Sequence, residues 1–224
     1  PSANHPDADA IRERILLAFY SHFGRLVLEI LMVFGPMPRF IRKRVSISGV
    51  EHYQAALREG RGAIILTNHV GNWECMTAGG VMLAGIEILM VTKRVKPEWL
   101  HRAIEKGRRA CGIRATYEPR TLRDVLAQLK GNKAVGFVLD QYAGPPVGVR
   151  VPVFGVPVGT TTAIATVAKR TGAKVLPSMN HRRADGGFHI EIRPALEWEA
   201  HEDPKEEIAR NTARYAAAME RDIY

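Results

Sequence analysis

The sequence predicts a single α/β domain in which a mixed, mostly parallel sheet carries helices on both faces. Short apolar runs alternate along the chain with longer segments of helical periodicity. The run from Ala63 to Thr67 is apolar at four of its five positions, which is typical of a central parallel strand buried on both faces. No linker, repeat or low-complexity tract divides the 224 residues, so we expect one domain over residues 1–224.

Periodicity and turn residues predict the elements in order. The predicted helices cover residues 11–34, 51–60, 72–83, 98–111, 121–130, from one of the threonines at 160–162 to 172, and 204–223. The predicted strands cover residues 45–49, 63–67, 86–91, 134–139, 174–177 and 189–193. We expect the last strand to lie at an edge of the sheet, and the Gly- and Pro-rich residues 143–159 to form a loop.

The predicted first helix, residues 11–34, has a wide apolar face interrupted by charges such as Arg12, Arg25 and Glu29. These charges exclude a transmembrane helix, which needs about 18 uninterrupted apolar residues. The helix either packs against its own domain or lies in a membrane interface. The sequence does not begin with Met, and we expect a hydrophobic anchor to precede it.

The charge balance favours an anionic partner. Lys and Arg number 32 against 23 Asp and Glu, which gives a net charge of +9. An acidic carrier protein, a phosphorylated substrate or an anionic membrane would suit this charge, and so would a merely basic solvated surface. Nucleic acid is disfavoured because the aromatic residues, 7% of the chain, are not interleaved with basic ones. The two cysteines, Cys75 and Cys111, cannot build a disulfide framework or a structural zinc site, and the flanks of Cys75 indicate a buried, inert thiol rather than a nucleophile.

His69 is the leading candidate for chemistry because it follows a buried strand, at the sheet edge where α/β proteins bind ligands. Glu74, in the first turn of the next helix, is expected to reach back to the imidazole. A carboxylate on one ring nitrogen leaves the other nitrogen as a general base. No Gly-x-Ser-x-Gly elbow is present, so the nucleophile is expected to be a hydroxyl of the substrate. The alternative is that His69 caps a helix or packs in the core; the spacing does not favour a metal site.

Further candidates lie downstream. Asp140 and Gln141 end another apolar strand at the same sheet edge, and either bind substrate or cap the strand. Residues 148–155 are too apolar for a solvated loop, so they fold over the core or line a channel for an apolar substrate. Basic side chains that either hold phosphate groups or form solvated helix faces are Lys93, Arg94, Arg102, Arg108 and Arg109.

The segment from His69 to Glu74 resembles the His-x-x-x-x-Glu signature of the bacterial lipid A biosynthesis acyltransferases, relatives of the glycerolipid acyltransferases. The resemblance extends over roughly residues 26–194. Its other matching elements are Arg108 with Gly112, Asp140-Gln141, Gly144, residues 148–155, the threonines from Thr160, and residues 175–177.

The resemblance implies transfer of a fatty acyl chain from an acyl-carrier-protein or coenzyme A thioester to a hydroxyl of a membrane glycolipid of the lipid A precursor type. It implies no cofactor beyond that co-substrate, and a place at the cytoplasmic face of the inner membrane. His69 would be the base and Glu74 its orienting partner, so His69→Ala or Glu74→Ala is expected to abolish transfer and leave the fold intact. The candidate substrate-binding residues are Asn72, Arg94, Arg108, Asp140, Gln141, Arg150, Phe154, Gly155 and Thr160.

Alternatives remain open. Arg150 and Val153 stand where the family pattern leads us to expect aromatic residues, which leaves the acceptor undecided. Relatives with the same core acylate phosphatidylinositol mannosides, and lysophospholipids are a further candidate acceptor. Two other readings are a non-catalytic lipid-binding module that uses residues 11–34, and a thioester hydrolase that uses the same histidine and carboxylate on water.

Overall fold

A computed structural model describes residues 7–221 and residue 223, without the side chains of residues 33 and 34. The ends of the predicted domain and the last side chains of the predicted first helix lie outside this description. The helices are α1 Ala8–Ile30, α2 Met37–Arg44, α3 Val50–Arg58, α4 Trp73–Ala84, α5 Glu98–Ala110, α6 Thr121–Lys130, α7 Ala163–Thr171 and α8 Pro204–Glu220, with a 3₁₀ turn at Leu31–Phe34. The strands are β1 Val45–Ser48, β2 Ala63–Thr67, β3 Ile88–Val91, β4 Arg114–Thr116, β5 Ala134–Val138, β6 Gly148–Val153, β7 Val156–Thr161, β8 Lys174–Arg182 and β9 Phe188–Ile192.

Seven strands form one sheet in the order β1-β9-β8-β2-β5-β3-β4. Every neighbouring pair is parallel except β8 and β9, which confirms the predicted mixed, mostly parallel sheet. β2 lies at the centre of this sheet, and all five of its residues are buried. β6 and β7 form a separate antiparallel hairpin.

The alternation of β2 shows that both faces of the sheet are covered. Ile64 and Leu66 pack in a cluster with side chains of α6, α7 and α8, while Ala63 and Ile65 pack with side chains of α3 and α4. Burying a Leu or Ile side chain is worth about 1.5–3 kcal/mol, so β2 is held firmly from both sides. Its carboxyl end, from which His69 follows, therefore leaves the sheet at a fixed point.

The expectation of a loop at residues 143–159 is wrong, because most of that segment is the β6–β7 hairpin. Phe154 and Gly155 form its two-residue turn, both with positive φ, 49° and 74°. Such turns match the twist of the two strands they join. Pro152 and Pro157 face each other across the hairpin. They are tolerated there because this ribbon has no third strand to which they would have to donate a hydrogen bond.

The prediction that residues 189–193 form an edge strand is also wrong. β9 lies between β8 and β1, since β1 adds in parallel to its outer side. A run of alternating residues shows that one face is buried, but it carries no signal for the number of neighbouring strands. The sequence analysis also missed α2, in which four of eight residues are basic, and the three-residue β4. The expected burial of Cys75 is confirmed, and Cys111 is buried as well.

The predicted first helix exists as α1, but most of it does not pack against the domain. Among its described side chains only Ala8 and Leu26 are buried. The large apolar side chains of this segment that stay at least 43% exposed are Ile15, Leu16, Leu17, Phe19, Tyr20, Phe23, Val27, Leu28 and Leu31. Within the residues described, no helix is both long enough and apolar enough to cross a membrane.

Candidate active site

The turn between β2 and α4 carries His69 and is fixed at several points. Asn72 caps α4, because its side-chain oxygen accepts a hydrogen bond from the Cys75 amide at 3.0 Å. The Asn180 side chain in β8 donates to the Asn72 carbonyl at 2.6 Å. Gly71 has a φ of 76°, and a Cβ there would lie 2.5 Å from the Asn180 carbonyl oxygen, so only glycine fits this close approach.

Asp140 is the carboxylate that contacts His69. β2 and β5 are parallel neighbours with Thr67 opposite Val138, so the residues that follow each strand meet at one edge of the sheet. The Asp140 carboxylate lies 2.7 Å from His69 Nδ1 and also accepts the His69 backbone N–H at 2.7 Å. Because a carboxylate only accepts hydrogen bonds, Nδ1 carries the proton and Nε2 is left with a lone pair.

The electrostatics keep this carboxylate ionised. Burial raises the pKa of Asp140, but the hydrogen bonds from His69 outweigh it and leave the pKa below the ordinary value of 3.8. Both side chains are 33% exposed, so the imidazole is accessible to a substrate. The Trp73 ring stands edge-on to the imidazole, with the ring centroids 4.8 Å apart, and limits its motion.

The predicted contact between Glu74 and His69 is wrong. Glu74 instead points into the interior, where its two oxygens accept hydrogen bonds from Arg108 Nε at 3.1 Å and Nη2 at 2.5 Å. Only 4% of the Glu74 side chain and 7% of the Arg108 side chain are exposed. Burial opposes the charge on Arg108, but its bonds to Glu74 outweigh this and raise its pKa. A carboxylate buried this deeply needs such a partner, and α5 supplies it.

A cleft of about 210 Å³ lies beside Asp140, between the β6–β7 hairpin and α8. Its polar end is formed by Asn68, Asp140 and Gln141. The rest of its lining is mainly apolar and comprises Leu139, Tyr142, Val153, Phe154, Val158, Gly159, Thr160, Ala216, Met219, Glu220 and Ile223. The Phe154 amide donates to Glu220 at 2.8 Å, which joins the hairpin to α8.

The structure brings together some of the predicted site residues and separates others. Around the cleft lie Asp140, Gln141, Phe154 and Thr160. Asn72 is fully buried and Arg108 is nearly so, both are bonded to glutamates, and neither lines the cleft. Three other predicted residues do not line the cleft. Arg94 lies over the Tyr117 ring, Arg150 is exposed on β6, and Gly155 is in the hairpin turn.

Val153 and Phe154 line the cleft, in agreement with the channel considered for residues 148–155, but the sequence analysis missed the wall formed by α8, because it depends on how α8 packs against the hairpin. It also missed Asn68, whose buried Nδ2 has no hydrogen-bond partner; Asn180 Oδ1 is the other such buried side-chain atom among the described residues. The Asn68 oxygen accepts from the Val70 amide at 3.1 Å, which assigns the amide orientation. The turn therefore keeps an amide donor next to His69 without an acceptor. In the described part of the chain, no group of three or more His, Cys, Asp or Glu residues is placed to hold a metal ion.

A histidine oriented by a carboxylate, at the carboxyl edge of a mostly parallel sheet and beside an apolar cleft, has the geometry that general-base chemistry on a substrate with an apolar part requires. The model of the bacterial lipid A biosynthesis acyltransferase family matches residues 6–223. The chain belongs to that family, as its sequence motifs suggested.

Curated proteins similar to this chain are themselves acyltransferases. The chain is 27% identical over 194 residues to the phosphatidylinositol mannoside acyltransferase of Mycobacterium tuberculosis, covering 84% of this chain and 60% of the relative. Its identity to the enzyme of the same name from Mycolicibacterium smegmatis is 28% over 202 residues, covering 88% and 63%. Its identity to the lipid A biosynthesis lauroyltransferase of Escherichia coli is 23% over 186 residues, covering 82% and 60%. The chain thus spans about three-fifths of the length of these relatives.

Proposed function

We propose that this protein is an O-acyltransferase that moves a fatty acyl chain from a thioester to a hydroxyl of a membrane glycolipid, with His69 as general base and Asp140 as its orienting partner. The observation that carries the proposal is the 2.7 Å contact between His69 Nδ1 and Asp140. Family membership supports the reaction class. The base is assigned from geometry, and Asp140 takes the orienting role that the sequence pattern gave to Glu74.

The proposed step balances without a covalent enzyme intermediate. His69 Nε2 takes the proton of the acceptor hydroxyl, and the oxygen attacks the thioester carbonyl carbon. The tetrahedral intermediate collapses by breaking the C–S bond, and the leaving thiolate takes the proton back from Nε2. Asp140 stays ionised throughout and stabilises the imidazolium. The products are an ester and a free thiol.

The cleft beside Asp140 is the proposed place for the acyl chain. Its apolar walls suit a hydrocarbon chain, and its polar end lies at Asp140, next to the base. Asn68, whose amide nitrogen is buried without a hydrogen-bond partner, lines the same end of the cleft. Gln141 and Thr160 offer further polar contacts along the cleft.

The proposed partners follow from charge and family. The net charge of +9 suits an acidic carrier protein or coenzyme A as donor and a phosphorylated glycolipid as acceptor. A lipid A precursor and a phosphatidylinositol mannoside are the two acceptor classes that the names of the relatives suggest. We place the protein at the cytoplasmic face of a bacterial inner membrane, in peripheral contact with anionic lipid through the exposed side chains of α1.

The test is a transfer assay with palmitoyl-coenzyme A or palmitoyl carrier protein and each acceptor lipid, read by mass spectrometry. We expect an acceptor that gains the mass of one acyl group. His69→Ala should abolish transfer and Asp140→Asn should lower kcat by about 10²–10⁴-fold, the usual contribution of general-base catalysis. His52→Ala, in α3, is the control and should keep wild-type activity.

Two results would contradict the proposal. Full activity in Asp140→Asn would remove Asp140 from the mechanism. Free fatty acid as the sole product with every acceptor would indicate a thioester hydrolase.

A further inference from the structure

We propose that Glu29 is a positioning residue. It couples the binding of α1 to an anionic lipid surface with the geometry of the turn that carries His69. The inference rests on the acyltransferase function proposed above and adds a form of regulation to the same site.

Glu29 holds the end of α1 against the catalytic turn. Both of its carboxylate oxygens accept hydrogen bonds from the guanidinium of Arg182, one of them at 2.8 Å from Nη2. The side chains of Glu29 and Arg182 are 14% and 19% exposed, so this ion pair is largely shielded from water. Arg182 is the last residue of β8 and also lies over the Phe188 ring, 4.7 Å from its centroid. A bidentate pair with an anchored guanidinium fixes the carboxylate in orientation as well as position.

The same carboxylate reaches the turn through Asn72. Asn72 Nδ2 donates to Glu29 at 3.2 Å, while its side-chain oxygen caps α4 and its carbonyl accepts from Asn180. The contacts of Asn72 with Cys75 and Asn180 lie within the domain, whereas its contact with Glu29 comes from α1. Asn72 follows His69 by three residues, so a shift of Asn72 displaces the imidazole from its 2.7 Å contact with Asp140.

Most side chains of α1 do not pack against the domain. Leu26 is buried near its end and Ala8 near its start, whereas the side chains between them are exposed or only partly buried. Phe19 lies against Tyr20 and Phe23, with ring centroids 5.6 and 6.2 Å apart, and all three rings are more than half exposed. Whatever covers the apolar surface of α1 therefore acts on the domain through the end of the helix, where Glu29 and Leu26 are anchored.

Charge identifies an anionic bilayer as the occupant of that surface. Residues 8–44 contain seven basic and three acidic residues. Exposed cations with no ion pair among the described residues are Arg14, Arg25, Arg39, Arg42 and Lys43. Exposed aromatic and aliphatic side chains combined with cations are typical of helices that lie in an anionic membrane interface. A second copy of this chain fits poorly, because it would bring a segment with an equal positive charge.

The experiment compares Glu29→Gln with Glu13→Gln, which makes the same charge change at an exposed position of the same helix. Each protein is assayed with vesicles of phosphatidylcholine alone and of phosphatidylcholine with phosphatidylglycerol, and vesicle binding is measured by co-sedimentation. In wild type we expect the anionic vesicles to raise kcat by about tenfold, the effect of about 1.4 kcal/mol. Glu13→Gln should keep this stimulation. Glu29→Gln should bind the same vesicles equally well and lose the stimulation, with an unchanged KM for the thioester.

Hydrogen exchange at the first-turn amides of α4 provides a readout that needs no activity. Anionic vesicles should slow exchange there in wild type and leave it unchanged in Glu29→Gln. If wild type transfers no acyl group to any acceptor but shows this protection, the proposed function fails and the coupling stands. Full vesicle stimulation in Glu29→Gln would overturn the coupling. An equal loss of activity with and without lipid, together with a lower Tm, would show a merely structural role, and dimers without vesicle binding would show that a second copy covers α1.

Discussion

The variant Glu74→Ala distinguishes between two roles for Glu74. The sequence pattern predicts that it orients His69, whereas in the structure it pairs with Arg108 in the interior. The sequence pattern predicts that this variant loses transfer and keeps its fold, because Glu74 would orient His69. In the structure Glu74 is instead the bidentate partner of Arg108, and both side chains are more than nine-tenths buried. Removing the carboxylate leaves a buried guanidinium with a more distant partner, Glu105, 3.5 Å away.

The expected loss of stability follows from this geometry. Removing one member of a buried ion pair costs about 3–5 kcal/mol. Because Glu105 still offsets part of the Arg108 charge, we expect a loss near the lower end, about 3 kcal/mol. For a chain of this size that corresponds to a fall in Tm of about 6–12 °C. Replacing both members by apolar residues, as in Glu74→Leu with Arg108→Met, should recover most of the loss, since no buried charge then remains unpaired.

Urea unfolding followed by far-UV circular dichroism at 25 °C measures the difference. Glu98→Ala is the matched control, because Glu98 also lies in the first turn of a helix and also pairs with arginines, Arg94 and Arg102, but at the surface. It should cost less than about 1 kcal/mol. The reasoning is refuted if Glu74→Ala is as stable as the control. Loss of transfer at wild-type stability would return Glu74 to the catalytic role that the sequence pattern implied.

Two further predictions concern how the stability contributed by the His69–Asp140 contact depends on pH, and how the width of the cleft affects the preferred acyl chain. Because the pKa of Asp140 lies below 3.8, the stabilisation from its bonds to His69 is complete above that value and is lost as the pH falls through the lower folded pKa. The difference in unfolding free energy between wild type and Asp140→Asn should therefore shrink as the pH falls below about 4, and a difference that stays unchanged between about pH 4 and pH 2 would contradict this. Val158→Phe, which narrows the cleft, should shift the preferred acyl chain to a shorter length in competition assays with mixed thioesters, whereas Val156→Phe, on the exposed end of the same strand, should not.

Features that depend on residues close together in sequence could be predicted, and most of those that depend on residues far apart in sequence could not. The buried run at β2 and the helix that follows are local patterns, and both were predictable, as was the placement of His69 and Asp140 at one edge of the sheet. The contact between these two side chains was not predictable, because it requires β5 rather than another strand to lie beside β2. The hairpin was missed for a local reason, since its valines alternate among glycines and prolines that usually mark loops.

Burial explains why the carboxylates of Glu74 and Asp140 have different partners. A glutamate in the first turn of α4 could turn outward to the imidazole or inward, and the inward position is stable only because a cation lies there. Arg108 supplies that cation from α5, 34 residues away in sequence, and its two hydrogen bonds use both Glu74 oxygens. Among the described residues no Lys or Arg pairs with Asp140, so its charge remains available to His69 at the rim of the cleft. In this chain the His-x-x-x-x-Glu spacing therefore lets Glu74 bind Arg108 and hold the turn that carries His69 to the core, while the carboxylate that contacts His69 follows the neighbouring strand.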